Sequence, residues 1–312
     1  MKQKAVCLMG PTATGKTDIA IALCKRFPFE IISVDSALVY RGMDIGTAKP
    51  DPATLARTPH RLVDIRDPED PYSAGDFVRD AHAAIAEITA SGRIPLLAGG
   101  TMMYFRALTR GIAELPSAEP ALRAKIDAEA AKAGWPALHA ELQSVDPEAA
   151  ARIEPNDRQR IQRALEVYRA SGVTMSEWQR AADENAAAGD TAFIRTALNI
   201  EPRKRLHERI DLRLKVMLNK GFVDEVKALR ERPGLDRDAP SMRSVGYRQF
   251  WSYLEGESSL EEATYRTLVA TRQLAKRQVT WLRSETGVTF FDPLEENVVD
   301  AISAYLIPFF DA

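Results

Sequence analysis

The chain has 312 residues, 45% hydrophobic and 28% charged, enough for one large domain with an insertion or for two domains. With 42 Lys plus Arg against 44 Asp plus Glu, the net charge is −2. That balance excludes a globally basic polynucleotide-binding protein and leaves only local basic patches as a signal.

In chain order, residues 5–9 are a short apolar run that predicts a buried strand containing Cys7. Gly10, Pro11, Thr12, Ala13, Thr14, Gly15, Lys16 and Thr17 follow in the pattern G-x-x-x-x-G-K-[ST]. Residues 18–27 then have helical spacing and carry Cys24. Strand, glycine loop and helix start together make an anion site, because successive backbone N–H groups and the positive helix end face a polyphosphate. Lys16 adds a point charge, and the Thr17 hydroxyl is placed for Mg²⁺. On its own the loop points to a nucleotide hydrolase or kinase, and it does not say which phosphate compound binds. Pro11 ends the first apolar stretch too early for a signal peptide. No run nears the ~20 apolar residues of a membrane span. The two cysteines read as buried reduced thiols, so a cytoplasmic protein is expected.

Residues 30–36 are a second apolar run ending in Asp35, and 61–65 a third, shorter one before a Pro-rich turn at 67–71. Residues 76–90 have helical spacing. Residues 94–98 are a buried strand running into Gly99-Gly100-Thr101 and a helix through about Thr109. From Glu114 to about Arg195 the chain is Ala-rich and punctuated by prolines, which predicts a small helical insertion. Residues 196–200 look like a return to the sheet. Helices are expected at about 203–219, 222–231 and 260–284, then an edge strand at 289–291 and a last helix from about Glu296. The alternation predicts an α/β fold, a P-loop NTPase-like parallel sheet flanked by helices with a helical insertion domain. The expected division is a core of 1–113 plus 196–312 and an insertion of 114–195.

Several residues in this frame can carry chemistry. Asp35 sits at the carboxyl end of a strand, where ligands bind in open α/β sheets, and can accept a proton or serve as a turn cap. Thr101 can cap the following helix or touch a ligand. Arg205, Arg209 and Arg213 recur every four residues on one helix face, which is either solvated or aimed at phosphates. Between Ala263 and Ser284 lie Arg266, Arg272, Lys276, Arg277 and Arg283 with no acidic residue. Arg243, Ser244, Val245, Gly246, Tyr247 and Arg248 place two arginines around a glycine and a tyrosine. Gln159, Arg160, Ile161, Gln162 and Arg163 add two more on the insertion. Arg and Lys for phosphates, with glutamine and aromatics for bases, suggest a polynucleotide partner. Trp281 can be core or can touch a base. The four histidines show no ligand spacing, so no zinc is expected.

Over nearly its whole length the chain resembles the bacterial tRNA dimethylallyltransferases (tRNA isopentenyltransferases). The likeness rests on G-P-T-A-T-G-K-T, S-V-D-S-A-L-V-Y-R-G-M-D-I-G-T-A-K-P, I-P-L-L-A-G-G-T-M-M-Y-F, P-N-D-R-Q-R-I-Q-R-A-L-E-V, S-V-G-Y-R-Q and T-R-Q-L-A-K-R-Q-V-T-W-L-R. The resemblance implies transfer of a dimethylallyl group from dimethylallyl diphosphate to N6 of the adenosine 3′ to the anticodon, in tRNAs reading codons that begin with U. It implies that residues 10–17 grip the leaving diphosphate with Mg²⁺ at Thr17, that Asp35 is the general base and that Arg213 lies on the diphosphate. Thr101 would line the passage where adenine meets the prenyl group. Asp35, Ser36, Ala37, Leu38, Thr101, Arg123, residues 159–163, residues 243–248, and Lys276, Arg277, Gln278, Val279, Thr280, Trp281, Leu282 and Arg283 would contact the tRNA anticodon stem-loop. A monomer is expected. Many relatives have Gln where this chain has Leu38, and the Cys/His cluster of the eukaryotic forms is missing. The first three motifs alone also permit a kinase, or a prenyltransferase of free adenine nucleotides. A non-catalytic RNA-binding switch is a third reading.

Overall fold

A computed structural model describes residues 3–111, 115–116, 119–187 and 191–310. The chain begins with β1 (Gln3–Met9), α1 (Lys16–Cys24), β2 (Phe29–Val34), α2 (Pro52–Arg57), β3 (His60–Arg61), α3 (Ala74–Ala90), β4 (Ile94–Gly99) and α4 (Met102–Arg110). Five helices follow: α5 (Pro120–Ala133), α6 (Trp135–Val145), α7 (Pro147–Ala150), α8 (Arg158–Ser171) and α9 (Met175–Ala187). The chain then runs through β5 (Thr191–Leu198), α10 (Arg203–Asn219), α11 (Phe222–Arg230), α12 (Tyr247–Leu254), α13 (Leu260–Ser284), β6 (Val288–Phe291) and α14 (Val298–Leu306).

The strands form one sheet in the order β3-β2-β4-β1-β5-β6, and every described pairing is parallel. This is the expected α/β sheet flanked by helices. Central β1 is continuously apolar because both its faces are covered, and Ala5, Val6, Cys7 and Leu8 have no exposed surface. Val6, Leu8, Leu23, Phe29, Ile31, Leu96 and Ile302 join one core, each large side chain contributing about 1.5–3 kcal/mol of burial. Both cysteines are free, Cys7 buried and Cys24 half-buried rather than buried, and burial pushes their thiols up to about 12 and about 11.

The chain divides into two compact units, Met1–Arg106 with Asp190–Ala312, and Ala107–Gly189. The expected boundary at 113/114 lies outside the described residues. The one expected at 195/196 falls inside β5, which starts at Thr191. Arg195, the expected end of the insertion, pairs in register with Cys7 as an ordinary strand residue. The second unit has its own apolar centre, with Ile126, Leu138, Leu142, Ile161 and Leu165 buried together.

Two other expectations change. The strand expected at 61–65 ends after Arg61, because Leu62 and Asp64 adopt positive φ of 62° and 55°. Helix α12 was not anticipated. It starts at Gly246 with φ 95°, and its eight residues are too short to show a helical period. No described helix is long and apolar enough to cross a membrane.

Register, more than any single motif, builds the ligand edge. Met9 and Val34 both pair with Gly99, so β1, β4 and β2 end level. Their next residues, Gly10, Gly100 and Asp35, therefore lie side by side along one edge, about 5 Å per strand step. The connections from β1 and β4 leave in opposite directions, which makes this the crevice where such sheets bind ligands. Gly99 has to be glycine, because an added Cβ would sit 2.0 Å from the Val34 carbonyl oxygen on the neighbouring backbone. Gly99→Ala is expected to lower stability by about 3 kcal/mol, read as a lower denaturation midpoint at unchanged slope.

Candidate active site

The glycine loop is wound by local geometry. Ala13 and Gly15 take φ of 65° and 86°, the latter comfortable only for glycine. The Thr14 hydroxyl donates to the Pro11 carbonyl at 2.8 Å. The first bond of α1 runs from Ile19 N–H to the Gly15 carbonyl, so the earlier amides face out of the helix end towards an anion. Lys16 folds back over the loop, its ammonium donating to the Pro11 carbonyl at 2.8 Å. Burial, with help from the Arg213 guanidinium and against the pull of Asp35, lowers the Lys16 ammonium to about 7.

Asp35 is the turn cap that was one of its two readings in sequence. Its Oδ1 accepts from the Ala37 amide at 2.9 Å and the Leu38 amide at 3.4 Å, forming a turn at the end of β2. Its other oxygen has no hydrogen bond among the described residues. Thr101 directly precedes α4, and its carbonyl accepts from the Tyr104 amide at 2.9 Å. Its Oγ1 accepts from the Ser36 amide at 3.0 Å and so latches the β4 junction to the β2 turn. Register already brings these two junctions to neighbouring strand ends, and the nearer partner takes the hydroxyl.

Helix α10 brings arginines to the same edge. Burial lowers the Arg213 guanidinium, with Asp35 opposing, and its Nη2 donates to the Thr47 carbonyl at 3.0 Å. Arg209, one turn earlier, donates from Nε to the Ala13 carbonyl at 2.7 Å. Arg205 stays exposed. The family resemblance singled out Arg213 alone, while the four-residue period already placed Arg209 on the same face.

A family model described as IPP transferase matches residues 38–285. The chain belongs to the IPP transferase family. It is 61% identical over 282 residues to a tRNA dimethylallyltransferase of Alkalilimnicola ehrlichii, covering 90% of this chain and 88% of the relative. It is also similar to the solved tRNA isopentenylpyrophosphate transferase of Bacillus halodurans, at 36% identity and TM-score 0.72, over 99% of this chain and 96% of that one. The Staphylococcus epidermidis tRNA delta(2)-isopentenylpyrophosphate transferase gives 31% identity and TM-score 0.71, over 98% of this chain and 100% of that one. A eukaryotic dimethylallyltransferase acting on tRNA has the same fold, at 24% identity and TM-score 0.75, over 97% of this chain and 78% of that one.

Within this family member, the segments expected to meet RNA separate by face. Gln159, Arg160, Arg243, Arg248, Lys276, Arg277, Thr280 and Arg283 are exposed. Ile161, Gly246, Tyr247, Gln278 and Leu282 are buried. Helical periodicity dictates that outcome, since a contiguous run of residues must turn part of itself inward. Trp281 is half-buried under the Arg106 guanidinium, 5.6 Å from its ring centre. Gln278 turns towards the phosphate loop, accepting from the Thr12 amide at 3.0 Å and donating to the Gly100 carbonyl at 2.6 Å.

The basic run on α13 is also less free than its sequence suggested. Asp211 of α10 holds Arg272 through both oxygens at 2.8 and 2.7 Å. Arg266 pairs with Glu262, and Arg283 with Glu201 at 2.8 Å. Lys276 and Arg277 alone of the five have no ion pair among the described residues. The compensating acids come from just before the run and from other elements, where a count within the run cannot see them. On the second unit Arg123 and Arg163 are both held by buried Glu166, at 2.9 and 2.8 Å. Burial pushes that carboxyl up, but the bonds from Arg163 and Arg123 outweigh it and hold Glu166 below the usual carboxylate range.

Proposed function

We propose that this IPP transferase moves the dimethylallyl group of dimethylallyl diphosphate to N6 of the adenosine 3′ to the anticodon, in tRNAs reading codons that begin with U. One observation carries the reading: three level strand ends gather Lys16, Asp35 and Thr101 at one edge, with Arg213 from α10 beside them. The likeness to the tRNA dimethylallyltransferase of A. ehrlichii over most of the chain supports it independently.

The exocyclic amine of adenine is a weak nucleophile, so its proton must leave as the new bond forms. The N6–carbon bond forms as the carbon–oxygen bond to diphosphate breaks. The proton goes to the free oxygen of Asp35, and the electron pair leaves on the diphosphate. Charge then develops on the leaving oxygens, where the loop amides, Lys16 and Arg213 stabilise it. The target base must leave its stack to reach this edge.

The donor set fits Mg²⁺. No group of three or more His, Cys, Asp or Glu side chains gathers for a metal among the described residues, and Mg²⁺ at phosphate sites takes most of its ligands from phosphate and water. Thr17 Oγ1 would hold it, and the ion, when bound, would supply charge neutralisation of the diphosphate. The protein acts in the cytoplasm as a monomer on this reading.

Labelled dimethylallyl diphosphate offered with tRNA and with AMP tests the acceptor, with label expected in tRNA. Label entering AMP and not tRNA would falsify the reading. The exposed cations of α13 give a second expectation. Binding of tRNA should weaken steeply with salt, and Lys276→Ala should flatten the slope of log K against log salt by about 0.7–0.9. An unchanged slope would place the RNA elsewhere.

A further inference from the structure

The segment 44–47 next to Arg213 is held by a residue that no motif points to. Glu225 of α11 accepts from the Asp44 amide at 2.9 Å and the Ile45 amide at 2.6 Å through Oε2. Its Oε1 accepts from the Gly46 amide at 3.0 Å and the Tyr247 hydroxyl at 2.6 Å. One carboxylate thus fixes three successive amides, and the next residue, Thr47, offers the carbonyl that Arg213 binds at 3.0 Å. The Thr47 hydroxyl closes the turn by donating to the Met43 carbonyl at 2.7 Å. The packing allows little slack, since a Cβ on Gly46 would meet the Phe222 ring at 2.1 Å.

We infer that Glu225 is a positioning residue for the diphosphate-binding arginine, acting through the backbone of residues 44–47. The inference rests on the proposed role of Arg213. A guanidinium binds an oxyanion well only when its planar fork is held in one orientation. Here one arm of that fork is fixed by a carbonyl whose own position depends on the Glu225 carboxylate. A carboxylate is suited to the task because it accepts from four donors at once and offers none in return. Gln at this position would turn an N–H₂ towards amide donors and lose half of its acceptors.

The test is a double-substitution cycle read by binding of inorganic diphosphate to the full-length protein, with no RNA present. Glu225→Gln is expected to weaken diphosphate about tenfold, and Tyr247→Phe about twofold to threefold, as charged and neutral hydrogen bonds differ. Arg213→Gln should weaken it more, and adding Glu225→Gln to Arg213→Gln should cost nothing further. If the two losses multiply, Arg213 keeps its role and the inference about Glu225 is overturned. If Arg213→Gln leaves binding unchanged, the role of Arg213 fails and the inference falls with it. Tyr247→Phe, which removes a single oxygen, keeps the test open should Glu225→Gln fold poorly. For that variant too, loss in the Arg213→Gln background contradicts the inference.

Discussion

Asp35→Asn is expected to lower kcat about 10²–10⁴-fold while leaving tRNA affinity within about twofold, because general-base contributions have that size. The structure explains the choice of Asn over Ala. Oδ1 of Asp35 accepts the Ala37 and Leu38 amides, and Asn keeps that oxygen. The turn, and with it the hold of Ser36 on Thr101, therefore survives, and only the second oxygen's ability to take a proton is lost. Asp35→Ala removes the turn bond as well, so its effect mixes two causes. Single-turnover kinetics with saturating tRNA separate them. A kcat unchanged in Asp35→Asn would leave Asp35 as a turn residue only.

Lys16→Met should lose activity and gain stability. The Lys16 ammonium is lowered to about 7 from its ordinary 10.5, first by burial and then by Arg213. Between those two values the unfolded chain holds a proton that the folded chain does not. Stability of the ligand-free protein therefore rises with pH across that window, and the full penalty is present below pH 7. Removing the charge relieves it. Tm at pH 6 should rise by about 2–6 °C, while kcat/KM for dimethylallyl diphosphate falls about 10²–10³-fold. The same lowered ammonium makes binding pH-linked. At pH 8 the free enzyme carries Lys16 mostly neutral and the diphosphate complex carries it charged, so binding should take up about one proton. Calorimetry in buffers of different ionisation enthalpy reads this directly. Equal proton uptake at pH 6 and pH 8 would mean that Lys16 does not titrate on binding.

These residues also mark how far the sequence could be read. The loop at 10–17, Asp35 and the Gly99–Thr101 junction were legible because each follows a continuous apolar strand, and parallel strands must put such ends on one edge. What each side chain does there was not legible. Thr101 found Ser36, and half of Asp35 found two amides, through a register that no local pattern contains. Gln278 lies within a basic run, and its helix phase turns it onto the Thr12 amide, a partner the run does not reveal. Glu225 gave no signal, because its four donors come from segments 180 residues and 22 residues away in sequence. Long-range pairing hid the rest. Asp211 and Glu201 neutralise arginines that looked free along α13, and the acids are more than 60 residues distant.

The phosphate loop is the kind that elsewhere holds a nucleotide; in the proposed function the diphosphate leaves while RNA receives the carbon. Counting released diphosphate against N6-dimethylallyladenosine recovered from tRNA, in one reaction, tests this most directly. Release is expected in equal amount to modified adenosine, with no release above the uncatalysed rate without RNA. Release at full rate in the absence of RNA, or from ATP in place of dimethylallyl diphosphate, would contradict the proposed function.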